Sequence, residues 1–180
     1  QEIKTDQDFQ ETFLSMITKS RKSVNIMTSK ISDLPFTIEE IKGDIGERPD
    51  VRIITHLDLD GLRDTDEFFK EADVKHSLSP FDLQLLLVDE KEALMNIPSL
   101  QRLDRAVWSN LDPYVDTLMR VFEDYWTQGE PADNIISRLT SQRDYLKNLN
   151  EIKTAMELTG WQVKSSGVLN GQSGVEHTFN

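Results

Sequence analysis

The sequence predicts a mixed α/β sandwich, and three observations predict it. Strand and helix signals alternate through the first half of the chain, the rhythm of crossover units. Several strand signals then follow one another and are closed by an amphipathic helix. The segment Leu83–Asp89 is apolar almost throughout, which marks a central strand covered on both faces.

The elements follow in order. Phe9, Phe13, Leu14, Met16 and Ile17 recur at helical spacing, so residues 6–20 read as an amphipathic helix. Val24–Thr28 is a first strand. Ile38, Ile41 and Ile45 suggest a short helix over 37–45, stopped by Gly46 and Pro49. The β-branched run Val51–Thr55 is a second strand. Residues 64–72 form another helix, with Phe68 and Phe69 as its buried face. Val74–Leu78 is a strand closed by Pro80, Leu83–Asp89 is the strongest strand of all, and Ala93–Ile97 is its antiparallel partner across Glu90-Lys91-Glu92. Arg105–Ser109 adds one more. Asp112-Pro113 opens a helix with aspartate as cap and proline in the first turn. It runs to Gly129, with Leu118, Val121, Phe122, Tyr125 and Trp126 inward. Residues 131–159 are a long helix, and after Gly160 the chain turns polar and glycine-rich. Boundaries therefore fall near 130 and 160, giving a domain over 1–130, a helical connector over 131–160 and the start of a second module, or a glycine-rich hairpin, over 161–180.

Composition removes several function classes. The chain has 180 residues and no cysteine, so neither a disulfide framework nor a thiolate metal site exists, as suits a reducing cytoplasm. The longest apolar run, Leu85–Val88, is far too short to span a membrane, and no secretion leader opens the sequence. Gln1 in place of Met suggests a fragment. The net charge of −12 repels a phosphate backbone, so direct nucleic-acid contact from these residues is not expected.

One stretch carries a resemblance. Phospholipase-D-like enzymes place a His-x-Lys-x4-Asp motif on a central strand and its turn. The histidine attacks phosphorus, the lysine binds phosphate oxygens and the aspartate helps position them. Phe81–Asp89 resembles that strand, with Asp89 at the aspartate position. Asp82 stands in place of the histidine and Gln84 in place of the lysine, while Asn96-Ile97 replaces the small pair that follows in the enzymes. A carboxylate lacks the coupled acid–base capacity of imidazole, and an amide supplies no cation, so no catalysis is expected. Of the three histidines, His56 precedes Asp58 by two residues and His76 precedes Leu78, so neither starts the motif.

The same segment, with Val88–Leu94, Ala106–Ser109 and Val121–Trp126, resembles the C-terminal domain of the TrmB family of archaeal transcription regulators. There the phospholipase-D-like fold persists without its nucleophile. The resemblance covers about residues 6–130. It implies a cytoplasmic, non-enzymatic domain for effector sensing or oligomerisation, a small-molecule effector such as a sugar, and no cofactor. Asp82, Gln84, Asp89, Asn96 and Trp108 are the candidate ligand-pocket residues. The plainer reading of Asp82 and Gln84 is a hydrogen-bonded strand end, and that of Trp108 is core. The family's N-terminal DNA-binding winged helix does not occur in this sequence.

Three further features stay open. Glu157–Val163 and Gly171–Phe179 are similar to the opening of restriction-endonuclease-like domains. That makes a scaffold in a DNA-processing protein one alternative function, and a protein-interaction module another. Asp58, Asp60, Asp64 and Glu67, with Gly61, nearly follow calcium-loop spacing. His56 holds the first ligand place, however, and an acidic turn capping the next helix accounts for the pattern equally. That loop lies at the carboxyl end of a strand, where α/β folds place ligands. Finally, Leu139, Leu146, Leu149 and Met156 form a partial heptad seam, interrupted by Gln142 and Lys153. It serves either a homodimer through 131–159 or packing within the chain.

Overall fold

The computed structural model describes residues 2–3, 5–34, 49–59, 68–97 and 106–158. The strands are β1 (Glu2–Ile3), β2 (Ser23–Thr28), β3 (Asp50–Thr55), β4 (Asp73–His76), β5 (Gln84–Val88), β6 (Glu92–Asn96), β7 (Ala106–Ser109) and β8 (Glu130–Pro131). The helices are α1 (Asp6–Lys19), α2 (Phe68–Glu71), α3 (Asp112–Gln128) and α4 (Ala132–Leu158). Among the described residues the strands form one eight-stranded sheet in the order β1-β7-β6-β5-β2-β3-β4-β8. β2, β3 and β4 are mutually parallel, and β5 pairs antiparallel with β2 and with β6. The mixed α/β class read from the sequence is thus the one the chain adopts. The expected helix over 37–45, residues 64–67 of the next helix and the tail beyond 160 lie outside the described residues.

The chain divides into two compact units, Gln1–Ser137 and Arg138–Asn180. In the first, side chains alternate across the pleat. Met27, Ile54, Leu85, Leu87 and Ala93 face α3, whose Val115, Leu118 and Phe122 complete that core layer. Val24, Ile26, Ile53, Leu86 and Leu94 point to the other face and are fully buried. On that side lies α1, which buries Phe13, Met16 and Ile17 and is capped by Thr5, whose side chain accepts from the Asp8 N–H. In the second unit, Tyr145, Leu146, Leu149 and Ile152 are exposed along α4.

Two local readings need correction. The N-cap of α3 is Leu111, without a side-chain cap bond, and Asp112 is the first helical residue. The Leu111 carbonyl accepts from the Tyr114 and Val115 N–H groups while Ser109 Oγ accepts from Leu111 N–H. Asp112 still places its charge at the positive end of the helix dipole. Val121, expected inward, is only half-buried. The fully inward positions are Val115, Leu118 and Phe122 at i, i+3 and i+7, and Val121, three residues after Leu118, lies at the edge of that row.

The β5–β6 turn puts Asp89 and Glu90 at φ 53° and 58°, with Lys91 N–H donating to Val88 O at 3.0 Å. Two consecutive left-handed residues match the right-handed twist of a hairpin, and glycine is the natural occupant of the second. Glu90→Gly should therefore stabilise the domain by about 0.5–1 kcal/mol, read as a higher urea midpoint at unchanged slope. A lower midpoint would mean that the glutamate side chain offsets its backbone strain.

Candidate functional site

The register of the sheet builds a polar row that no stretch of sequence displays. Thr28 pairs with Thr55, and Thr55 pairs with His76. His76 in turn pairs with Glu130, and Gln84 with Asn96. Gln84 stands one residue on from the Met27–Leu85 pair, which sets it beside Thr28. Asn96, Gln84, Thr28, Thr55, His76 and Glu130 thus run across six neighbouring strands at one end of the sheet. By strand alternation they share the face that carries α1. This is the carboxyl end of the parallel strands. It is also where the chain, having built β3 and β4 on one side of β2, crosses to build β5 on the other. Such switch points are where α/β sheets hold ligands.

Local chemistry explains why these polar side chains tolerate burial. Thr28 and Thr55 are fully buried, His76 is 8% exposed and Ser77 is 2% exposed. Thr28 Oγ1 donates to Lys30 O at 2.8 Å and Thr55 Oγ1 to Ser29 O at 3.5 Å, tying the chain that leaves β2. Ser77 Oγ donates to Ser79 O at 2.6 Å. Asn96 Nδ2 donates to Gln84 Oε1 at 3.3 Å. His76 Nδ1 accepts from the Leu57 N–H at 3.0 Å, and the His56 ring lies against it with centroids 4.8 Å apart. Each of these buried side chains therefore meets a partner, which removes most of its desolvation cost.

This geometry limits what the row can do chemically. A ring nitrogen that accepts a hydrogen bond is unprotonated, so neutral His76 carries its proton on Nε2. Its one lone pair is already engaged with Leu57, and the ring is no nucleophile in that state. Asp82 is exposed just ahead of β5, and Gln84 presents an amide already bonded to Asn96.

The remaining candidate residues lie apart from the row. Asp89 sits beyond the far end of β5, about 16 Å from Gln84 at strand rise. Its carboxylate accepts from the backbone N–H groups of Arg21 (3.1 Å), Lys22 (2.7 Å) and Ser23 (3.1 Å). Trp108 donates from Nε1 to Glu92 Oε2 at 3.1 Å and lines a groove of about 510 Å³ between α1 and the β6–β7 pair. Asp58 directly follows Leu57, while Asp60, Asp64 and Glu67 lie outside the described residues. Among the described residues no cluster of three or more metal-ligating side chains occurs.

A second polar assembly, also absent from the sequence reading, fixes α3 to the sheet. Arg52 Nε donates to Asn25 Oδ1 at 2.8 Å and Nη2 to Glu123 Oε1 at 2.7 Å. The guanidinium lies 5.0 Å from the Phe122 ring and 5.2 Å from that of Trp126. Lys75 Nζ donates to Trp126 O at 2.7 Å and sits 4.7 Å from the same indole. In the sequence Arg52 stands among apolar residues and Lys75 between Val74 and His76, and only strand alternation under an aromatic helix could have singled them out.

No family model and no curated protein matches the chain. Solved structures do. TrmBL2, an archaeal chromatin protein with a novel mode of DNA binding, aligns over 73% of this chain and 53% of its own, at 14% identity and a TM-score of 0.59. The chain thus spans about half of TrmBL2. NucT from Helicobacter pylori aligns over 73% of this chain and 97% of its own, at 12% identity and a TM-score of 0.54. Nuc from Salmonella typhimurium, a phospholipase D family member, aligns over 68% and 89% at 17% identity and a TM-score of 0.44. Likeness at such identities speaks to fold alone, and the fold shared with TrmBL2 and NucT is the mixed α/β sandwich expected from the sequence. Among the described residues no helix is long and apolar enough to cross a membrane.

Proposed function

We propose that the chain carries a non-catalytic regulatory domain of a TrmB-like transcription regulator, one that senses an effector or holds subunits together. The observation that carries this reading is the start of β5. Asp82 and Gln84 stand where a phosphoryl-attacking imidazole and a phosphate-binding cation would project, and the Gln84 amide is engaged with Asn96. The engaged Nδ1 of His76 supports it. So does the fold shared with TrmBL2, a DNA-binding chromatin protein. With a net charge of −12, DNA contact would come from a basic module outside these residues. The exposed Leu146, Leu149 and Ile152 on α4 support a homodimer through that helix.

The test has two arms. Incubated with a chromogenic phosphodiester, the purified chain should give no turnover above buffer, and measurable hydrolysis would overturn the reading. A panel of sugars is then screened by thermal shift. A ligand at about a hundredfold excess over its Kd adds about 2.7 kcal/mol, a rise of several degrees. A flat panel removes sugar sensing and leaves the assembly role.

A further inference from the structure

We propose that the seam of α4 pairs antiparallel with the same seam of a second copy, about a two-fold axis midway between Lys147 and Asn148. This rests on the homodimer reading above and adds its direction and register. Leu139, Gln142, Leu146, Leu149, Lys153 and Met156 follow one another at alternating steps of three and four, the spacing of a two-helix seam. Tyr145 and Ile152 flank that row on one edge. Leu146 is 46% exposed, Leu149 43%, Tyr145 63% and Ile152 57%, so one helix leaves a contiguous apolar strip in water. Asp144, Lys147 and Glu151 stand on the opposite face, where Lys147 and Glu151 pair at 4.0 Å.

The row is its own complement when reversed. Turned about that axis, Leu139 lies level with Met156 of the second copy, Gln142 with Lys153, and Leu146 with Leu149. Every large apolar residue of the seam thus meets another, and the two polar ones meet each other. Tyr145 and Ile152 of the second copy fall within about 3 Å of one level on the shared edge, since a helix rises about 1.5 Å per residue. A parallel pair in register stacks Gln142 on Gln142 and Lys153 on Lys153, which sets like charges against each other in the seam. The antiparallel register puts each lysine opposite a neutral amide instead. Lys153 keeps an interaction within its own chain. The register does not call on its ammonium, because the aliphatic stem covers the seam while the head group stays at the edge. Sliding either antiparallel helix by one heptad sets Gln142 or Lys153 against a leucine, so the register is fixed as well as the direction.

The sequence contains no cysteine, so single-cysteine variants cross-link at one known place. Whole chains of tagged Leu139→Cys and untagged Met156→Cys are mixed and treated with a short bis-maleimide. The antiparallel pair should give the mixed 139–156 product and almost none within either variant alone, because like positions then stand about 25 Å apart along the axis. A parallel pair cross-links each variant to itself; that result would overturn the proposal and leave the homodimer reading intact. Sedimentation of the unsubstituted chain should show a reversible monomer–dimer equilibrium. Leu149→Asp changes an exposed residue that the fold does not need and brings two carboxylates beside the axis, so it should weaken the dimer at least about tenfold. A chain that stays monomeric even at about 1 mM, or a dimer that Leu149→Asp leaves untouched, would overturn the proposal and the α4 homodimer together.

Discussion

Phe122→Ala should cost about 3–5 kcal/mol, the largest loss expected of any single substitution in the domain. Phe122 is fully buried at the centre of the layer formed with Met27, Ile54, Leu85 and Leu87. Its ring stacks on Trp126 at 5.7 Å and lies 5.0 Å from the Arg52 guanidinium. Truncation removes the transfer free energy of a large ring and opens a cavity that the β-sheet cannot close, since a sheet relaxes less than a loop. It also exposes one side of a cation whose ion pair with Glu123 contributes little, because that carboxylate is 45% exposed. Domains of this size are stable by about 5–15 kcal/mol, so the variant should lose from about a fifth to all of its stability. Phe122→Leu keeps most of the volume and should cost about 1–2 kcal/mol. Urea unfolding at unchanged slope reads both numbers. A cost below about 1 kcal/mol for Phe122→Ala would mean that α3 does not depend on this side chain for its seat on the sheet.

Phe122 also shows what the sequence made legible. Its place at helical spacing from Leu118, Tyr125 and Trp126 announced a helix face, and the apolar run ending at Val88 announced the strand beneath, while Val115 was not read as inward. β2 to β7 and α1, α3 and α4 were readable for the same reason, since periodic burial leaves a periodic trace. The two-residue strands β1 and β8 were not, because two residues hold no period and exist only through their partners β7 and β4. The cap of α3 was misplaced by one residue because an Asp-Pro pair signals a helix start without saying which residue closes the first turn. The polar row was least legible. Residues 28, 55, 76, 84, 96 and 130 are scattered through the chain, and only the register of six strands aligns them. The sequence offered threonine at the ends of two apolar runs, a signal as common at solvent-facing strand ends as at buried ones. Asp82, Gln84 and Asp89 were visible as a set through the motif they resemble. The strand between them nonetheless separates Asp89 from the row, and what Asp89 does there is structural.

Asp89→Ala should cost about 2–4 kcal/mol at neutral pH, and the cost should shrink in acid. The carboxylate gathers three successive backbone N–H groups at the turn between α1 and β2. Asp89 N–H in turn donates to Ser23 O at 2.9 Å, so the β5–β6 turn and the α1–β2 turn clamp each other. Alanine removes every side-chain acceptor and is also strained at φ 53°, which adds about 1 kcal/mol. Asp89→Asn tolerates the left-handed backbone and keeps one oxygen, so it isolates the charge and should cost about half as much. Burial works against the ionised carboxylate, but the N–H groups of Lys22, Ser23 and Arg21 and the nearby Lys91 charge outweigh it. The folded-state pKa therefore lies below the ordinary 3.8. The sign follows from that direction: the unfolded chain binds the proton more readily than the folded one. The clamp's charge contribution is complete above the unfolded value, near 3.8, and fades as pH falls from there through the lowered folded value. The stability gap between wild type and Asp89→Asn should accordingly stay flat from about pH 7 to about pH 5 and narrow below about pH 4. Urea titrations at several pH values measure it directly. A gap that widened in acid would require Asp89 to be protonated in the native state, and the three converging N–H groups would then need another account.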